Sequence, residues 1–260
     1  MPDPAPRLSA PAASSTPPLP GRAIIRQHWS DFLFLHWRVD PELVAPFLPA
    51  GTRPDVFDGS AWVGLIPFVL GGHQFLPLPP VPGLGTFIEI NVRTYSIDGA
   101  GNRGVVFRSL EAQHLPPVLA ARALFGLPYQ WADAALTVDG DELEYRSRRH
   151  RLAGGAAHPL VDRPTTRIRT RVSGSPVDTP LSRFLTDRWG FHERHLGRTI
   201  HARNAHEPWP LVDATLLTLE DQLLEAAGFP GLTGRAPDSV LATPPGRGVV
   251  TEFAAARRVG

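Results

Sequence analysis

Every second residue from Phe87 to Tyr95 is either aromatic or able to do acid–base and hydrogen-bond chemistry: Phe87, Glu89, Asn91, Arg93 and Tyr95. Side chains alternate across a β-strand, so these five share one face. Glu89 can take or give a proton, Arg93 can hold an anionic group, and Asn91 can orient either. The intervening Ile88, Ile90, Val92 and Thr94 are largely β-branched and suit a face packed on a core. On an open sheet the polar face would be the solvated one. On a strand curled into a barrel it would line an interior cavity. The strand alone favours the solvated face and leaves both readings open.

Two absences limit what any site can do. The chain has no cysteine, which removes disulfides, thiolate nucleophiles and thiolate metal ligands. It also has no lysine, so all 26 basic residues are arginine. A guanidinium stays protonated and cannot form a Schiff base. Lysine-based carbonyl chemistry is excluded.

Other chemistry-bearing residues make weaker patterns. His192, His195, His201 and His206 are close in sequence. On a strand, however, His192 and His195 point to opposite faces, and the spacing is not that of a metal site. The alternation leaves convergence of His201 and His206 open, but no metal is expected. Arg167, Arg169 and Arg171 share one face of a predicted strand, preceded by Arg146, Arg148, Arg149 and Arg151. That row is the best basis for anion or nucleic-acid binding. A solvated face paired with Glu142 and Glu144 across the sheet accounts for it better, because the net charge is only +1. No nucleic-acid partner is expected. Nucleophile-elbow, phosphate-loop and dinucleotide patterns are absent.

The elements that must position these residues are mostly short strands. Residues 24–39 are extended, and Asp40-Pro41-Glu42 starts a short helix with Asp40 as N-cap. Asp58-Gly59 turns into a strand from Ala61 to Leu70, with Pro67 placing it at an edge or bulge. A Pro- and Gly-rich loop over 71–85 precedes the organising strand, and a second strand covers 105–112. Pro116-Pro117 opens a helix over 118–125, closed by Gly126. Strands follow over 129–138, 142–148 and 165–172, then a helix over 181–188 and two strands flanking Gly197. Residues 211–219 form a strand, and 220–227 a helix ending at Gly228. The pattern is a β-rich α+β domain with a few short helices.

With 260 residues and 42% hydrophobic content, the chain can bury one substantial core. Residues 1–20 are rich in Pro, Ala and Ser and are expected to be a disordered tail, leaving 21–260 as a single domain. No membrane-spanning run or secretory leader is evident, so a cytoplasmic location is expected, with the oligomeric state open.

Several segments together carry a family resemblance. They are His36-Trp37, the run from Asp58 to Phe68, Glu89 to Tyr95, Leu127-Pro128-Tyr129 and His206 to Leu211. In this order they resemble the YqjF-like bacterial family of unknown function (domain of unknown function 2071), grouped by fold with acetoacetate decarboxylase. The resemblance implies a curved antiparallel sheet closing into a β-barrel around a small cavity, which raises the cavity reading above the solvated one. It also implies that Glu89 matches the decarboxylase's pocket glutamate. Arg122, Gly126 and Pro128 match that enzyme's motif, whereas Tyr129 and Gln130 stand where its two lysines would be.

Two functions of different class follow. One is an enzyme on small carbonyl or carboxylate metabolites that forms no Schiff base and uses no cofactor. Glu89 and Tyr129 would be catalytic, and Arg93, Arg122 and Asn91 would bind a small anionic ligand. The alternative is a non-catalytic small-molecule binding or sensing domain. Anion or nucleic-acid binding through the arginine row ranks below both. Because lysine is absent, borohydride reduction with acetoacetate or pyruvate should leave every interior residue unmodified. Peptide mapping that finds a reduced adduct at Tyr129, Gln130 or any internal position would refute this.

Overall fold

A computed structural model describes residues 16–80, 85–151 and 161–259 of the chain. Their strands are β1 (Ala23–Ser30), β2 (Leu33–Val39), β3 (Thr52–Pro54), β4 (Ala61–Phe75), β5 (Phe87–Asp98), β6 (Arg103–Ala112), β7 (Tyr129–Asp139) and β8 (Glu142–Arg149). They continue with β9 (Thr165–Pro176), β10 (Gly190–His195), β11 (Arg198–Ala205), β12 (Val212–Asp221), β13 (Ser239–Ala242), β14 (Gly248–Ala254) and β15 (Arg257–Arg258). Four α-helices interrupt them: α1 (Pro41–Val44), α2 (Leu115–Phe125), α3 (Pro180–Thr186) and α4 (Leu223–Ala226). The β-rich α+β class is as expected.

The strand pairings close two circuits. One runs β1, β14, β11, β10, β6, β5, β4 and back to β1. The other runs from β4 and β5 through β6, β7, β8, β9, β12, β13 and β2, returning to β4. Strands β4, β5 and β6 belong to both and form a common wall. Packed in the second circuit are Leu35, Trp37, Leu65, Ile90, Tyr145 and Ile168, each fully buried. Ile88, Ile90 and Val92 of β5 face this core, as their alternation predicts. The opposite face of β5 looks into the first circuit.

The sheet is not wholly antiparallel. Strand β6 pairs in parallel with β7 and with β10. The β7 pairing follows from α2, since a parallel neighbour requires a crossover and this helix supplies it. Gly126 ends α2 in the left-handed conformation, φ 71°, which a residue with a Cβ adopts only with strain.

Other boundaries moved for identifiable reasons. Pro67 was expected at an edge or bulge, yet β4 is central and Pro67 pairs with Ile90 of β5. On its other side, pairing with β2 ends at Leu65 and pairing with β1 begins at Val69. Pro67 therefore sits between two ladders, where a missing N–H costs nothing. The helix expected over 220–227 is one turn, because Glu220 and Asp221 remain in the ladder with β9. Asp221 instead accepts a hydrogen bond from the Leu224 amide at 2.9 Å. Most of the expected tail, 1–15, lies outside the described residues, as do 81–84 of the Pro-rich loop and the glycines at 154 and 155. Residues 16–20 lie against the sheet: Thr16 bonds the His206 carbonyl, and Arg257 bonds that of Pro20. The arginine row is the solvated, acid-paired face: Arg167 pairs with Glu144, and Arg169 and Arg171 pair with Glu142.

Across the common wall, His36 of β2, Gly64 of β4 and Arg93 of β5 are successive cross-strand partners. A Cβ on Gly64 would lie 2.6 Å from Ile66 Cδ1 and 2.9 Å from His36 Nε2. The missing side chain is the space that lets His36 lie flat against the wall. Gly64→Ala should therefore lower unfolding stability by about 1–3 kcal/mol, the usual cost of overfilling a packed site. Denaturant titration checks this; a neutral result would mean that His36 is free to move.

Candidate functional site

The first circuit surrounds a cavity of about 340 Å³. That size falls in the range of small-molecule sites. Phe87, Glu89, Asn91 and Arg93 all line it, and all four are buried. The polar face of β5 is thus an interior wall. Tyr129, the first residue of β7, completes the group. Much of the remaining lining is aromatic, including Trp29, Phe68, Phe191 and Trp209.

A β-bulge decides what β6 contributes. Val92 pairs with Ser109, but the next residue, Arg93, pairs with Phe107, so Arg108 is skipped. Strict alternation from Leu110 would aim Arg108 and Val106 into the cavity. The extra residue reverses the parity, and Phe107 and Val105 line it instead. Arg108 turns to the other side, where it lies 4.0 Å over the Phe47 ring and donates to the Ala227 carbonyl at 3.1 Å.

At one end of the cavity the Tyr129 hydroxyl donates to Glu89 Oε2 at 2.7 Å. Asn91 also hydrogen-bonds the Glu89 carboxylate. Among the described residues no cation pairs with Glu89. Burial pushes its pKa up to about 7, with the Tyr129 and Asn91 hydrogen bonds opposing the rise. Burial first, and then the neighbouring carboxylate, hold the Tyr129 phenol well above its ordinary value, so it stays protonated. A carboxyl that titrates near neutrality beside a neutral phenol can both move a proton and donate to an oxygen.

The other end is cationic. Arg93 donates from Nε to the Tyr95 hydroxyl at 3.2 Å and from Nη2 to the Leu185 carbonyl at 3.0 Å. Tyr95 lies outside the lining. Its hydroxyl donates to the same carbonyl at 2.9 Å and is 2.6 Å from His36 Nε2. Since the phenol hydrogen is committed to Leu185, Nε2 of His36 carries the proton and donates. Burial foremost, with the arginines nearby, holds the His36 pKa well below its ordinary value, so the ring is neutral. Arg188 also lines this end, with its guanidinium 4.6 Å over Tyr95 and 4.3 Å over Phe184. Sequence reasoning missed Arg188. It stands just after α3 in no recognisable motif, and only the fold brings it beside Arg93.

Arg122 takes another task. It donates from α2 to the Tyr129 carbonyl at 2.7 Å, which fixes the start of β7, and it does not line the cavity. His201 meets His192 rather than His206: their rings stack at 4.6 Å as cross-strand neighbours, whereas His206 lines the cavity. Among the described residues no three His, Asp or Glu side chains converge as metal ligands, and no helix is long and apolar enough to cross a membrane.

Residues 26–246 match the family DUF2071, described as an uncharacterized conserved protein. The chain is 35% identical over 206 residues to the uncharacterized protein YqjF of Bacillus subtilis, a match spanning 79% of this chain and 82% of that one. The chain belongs to this family. Its fold is similar to that of the acetoacetate decarboxylase of Legionella pneumophila (TM-score 0.59, 13% identity, 99% and 92% of the two chains). It is likewise similar to the enduracididine biosynthesis enzyme MppR complexed with the condensation product of pyruvate and imidazole 4-carboxaldehyde (TM-score 0.58, 15% identity, 97% and 98%).

The raised Glu89 pKa has a consequence for stability. Between pH 4.5 and about 7 the folded protein keeps a proton that the unfolded chain releases. Stability from this group therefore falls as pH rises through that window. Glu89→Gln removes the effect. The stability of the variant relative to the parent should grow, from pH 4.5 to above 7, by on the order of 3 kcal/mol. Denaturant midpoints at several pH values measure it; a pH-independent difference would place the Glu89 pKa at its ordinary value.

Proposed function

We propose that the protein is an enzyme of proton transfer at a small carbonyl or carboxylate compound, acting without covalent catalysis. The observation that carries this reading is Glu89: buried, without a cation among the described residues, titrating near neutrality, and 2.7 Å from a protonated phenol in an aromatic cavity. The ring of strands around it is read as a barrel with the site in its interior.

The step balances as follows. The ionised Glu89 takes a proton from the carbon next to the carbonyl. The C–H electron pair forms the C=C bond of an enolate, and the carbonyl π pair moves to oxygen. Glu89, now a carboxylic acid, changes from acceptor to donor toward Tyr129. This frees the phenol hydrogen to turn to the oxyanion. Asn91 orients the carboxyl, and Arg93 holds an anionic group of the ligand. The likeness to MppR, whose complex contains a condensation product of pyruvate, supports carbonyl chemistry in such a cavity. The absence of lysine directs it away from the Schiff-base route. The alternative, a binding or sensing domain, draws on the heavily aromatic lining, which would hold a ligand without any reaction.

The test is deuterium exchange at carbons next to the carbonyl, followed by NMR at pH 7 for acetone, levulinate and longer keto acids. Wild-type protein should catalyse exchange of at least one. Glu89→Gln should reduce it by about 10²–10⁴-fold, the range of a positioned general base. Tyr129→Phe should reduce it less. Ligand binding without any exchange would overturn the enzyme reading in favour of the binding domain.

A further inference from the structure

The two chemically distinct ends of the cavity are far apart, and that separation limits what can use both. Glu89 and Arg93 stand four residues apart on one face of β5, about 13 Å at the backbone. Both side chains lean the same way along the strand, so the spacing is kept. Glu89 is held by Tyr129 and Asn91, whereas Arg93 is drawn toward Tyr95 and Leu185, farther along the strand.

The far end is built to receive an anion. Arg188 is only 5% exposed, and its Nη2 is buried without a hydrogen-bond partner. Its Nε donates to the Phe184 carbonyl at 2.7 Å and its Nη1 to Asp55 Oδ2 at 2.5 Å. Asp55 is shared with Arg103. Among the described residues no carboxylate pairs with Arg93. Three arginines, Arg93, Arg103 and Arg188, thus face two carboxylates, Asp55 and the adjacent Asp187, whose pKa burial raises to about 6. The neighbouring His36 and His206 are held below their ordinary pKa chiefly by burial and add no charge near neutral pH. A buried cationic surplus and an unused donor are costly unless an anion meets them.

We propose that the ligand is a keto acid whose carbonyl lies about five to seven bonds from its carboxylate, the carboxylate bound by Arg93 and Arg188. This rests on the reading of Glu89 and Tyr129 as the group that meets the carbonyl. A hydrogen bond of about 3 Å at each end takes up about 6 Å of the separation and leaves roughly 7 Å between the ligand's polar oxygens. Extended chain covers about 3.3 Å in three bonds, which gives the count. In 2-oxo and 3-oxo acids the two groups are too close to engage both ends at once. The intervening methylenes lie against the aromatic wall, including Trp29, Phe107 and Phe191.

The probes are 7-oxooctanoate and 2-oxooctanoate, isomers with the same carbon count and apolar surface. Calorimetric titration of the wild-type protein should show 7-oxooctanoate binding at least tenfold more tightly than 2-oxooctanoate. Its methyl ester should bind at least tenfold more weakly than the acid. Arg188→Gln should weaken the acid but not the ester. Because that variant loses the Asp55 ion pair, the isomer and ester comparisons on wild-type protein decide the matter if it does not fold. Equal affinity for the two isomers, or an ester as tight as the acid, overturns the proposal, even where both isomers exchange protons. Tight, isomer-selective binding without exchange supports it while removing the catalytic role of Glu89.

Discussion

A strand walled on both sides, as β5 is by a packed core and by the cavity, has no face on which bulk water can satisfy polar groups. Every residue from Phe87 to Ser96 is buried. Ile88, Ile90 and Val92 meet this condition by packing, but Glu89, Asn91, Arg93 and Tyr95 must find partners inside the protein. The surroundings follow from that requirement. Tyr129 and Asn91 serve Glu89, the Leu185 carbonyl serves Arg93 and Tyr95, and His36 serves Tyr95 across the gap left by Gly64.

The two ends of the cavity are satisfied to different degrees. At the acid end the carboxyl is hydrogen-bonded but not neutralised, so its desolvation appears as a raised pKa. At the basic end Arg188 pairs with Asp55, whereas Arg93 meets only a carbonyl oxygen, a hydroxyl and aromatic faces, which leave its charge uncancelled. An ion pair between Glu89 and Arg93 would have relieved both strains and left neither group reactive. The strand keeps them apart by distance, with Asn91 between them as a neutral partner for the acid.

Carboxyls elsewhere are met by arginine. Glu111 is completely buried yet held by a two-pronged contact from Arg149, with Nε at 3.0 Å and Nη2 at 2.5 Å. Glu142 and Glu144 each meet two arginines at the surface. A buried carboxyl with only a phenol and an amide lacks that partner; burial also raises the pKa of Glu193 and Asp221, but of the three only Glu89 lines the cavity. Raised carboxyls in cavities concentrate at functional sites.

Local chemistry in the sequence determined a good deal. Alternation fixed the two faces of β5, Asp40 with Pro41 fixed the start of α1, and Gly126 fixed the end of α2, because each signal acts within a few residues. The absence of lysine fixed what the site cannot do. Whether the polar face of β5 met water or a cavity was not legible from the strand, since both give the same period of two; family resemblance, rather than the pattern, tipped that reading. Tertiary structure decided it by closing β1, β14, β11 and β10 onto the far side; of these, β14, after Gly228, carried no clear sequence signal. Tertiary structure also decided that Phe107 rather than Arg108 enters the cavity, because a single skipped residue in β6 reverses every side chain beyond it. Arg188 joined Arg93 for a related reason, whereas the supporting bond from Arg122 to Tyr129 is local. Proximity in the fold depends on which strands pair, and a meeting of residues 95 positions apart leaves no mark on the local pattern of either.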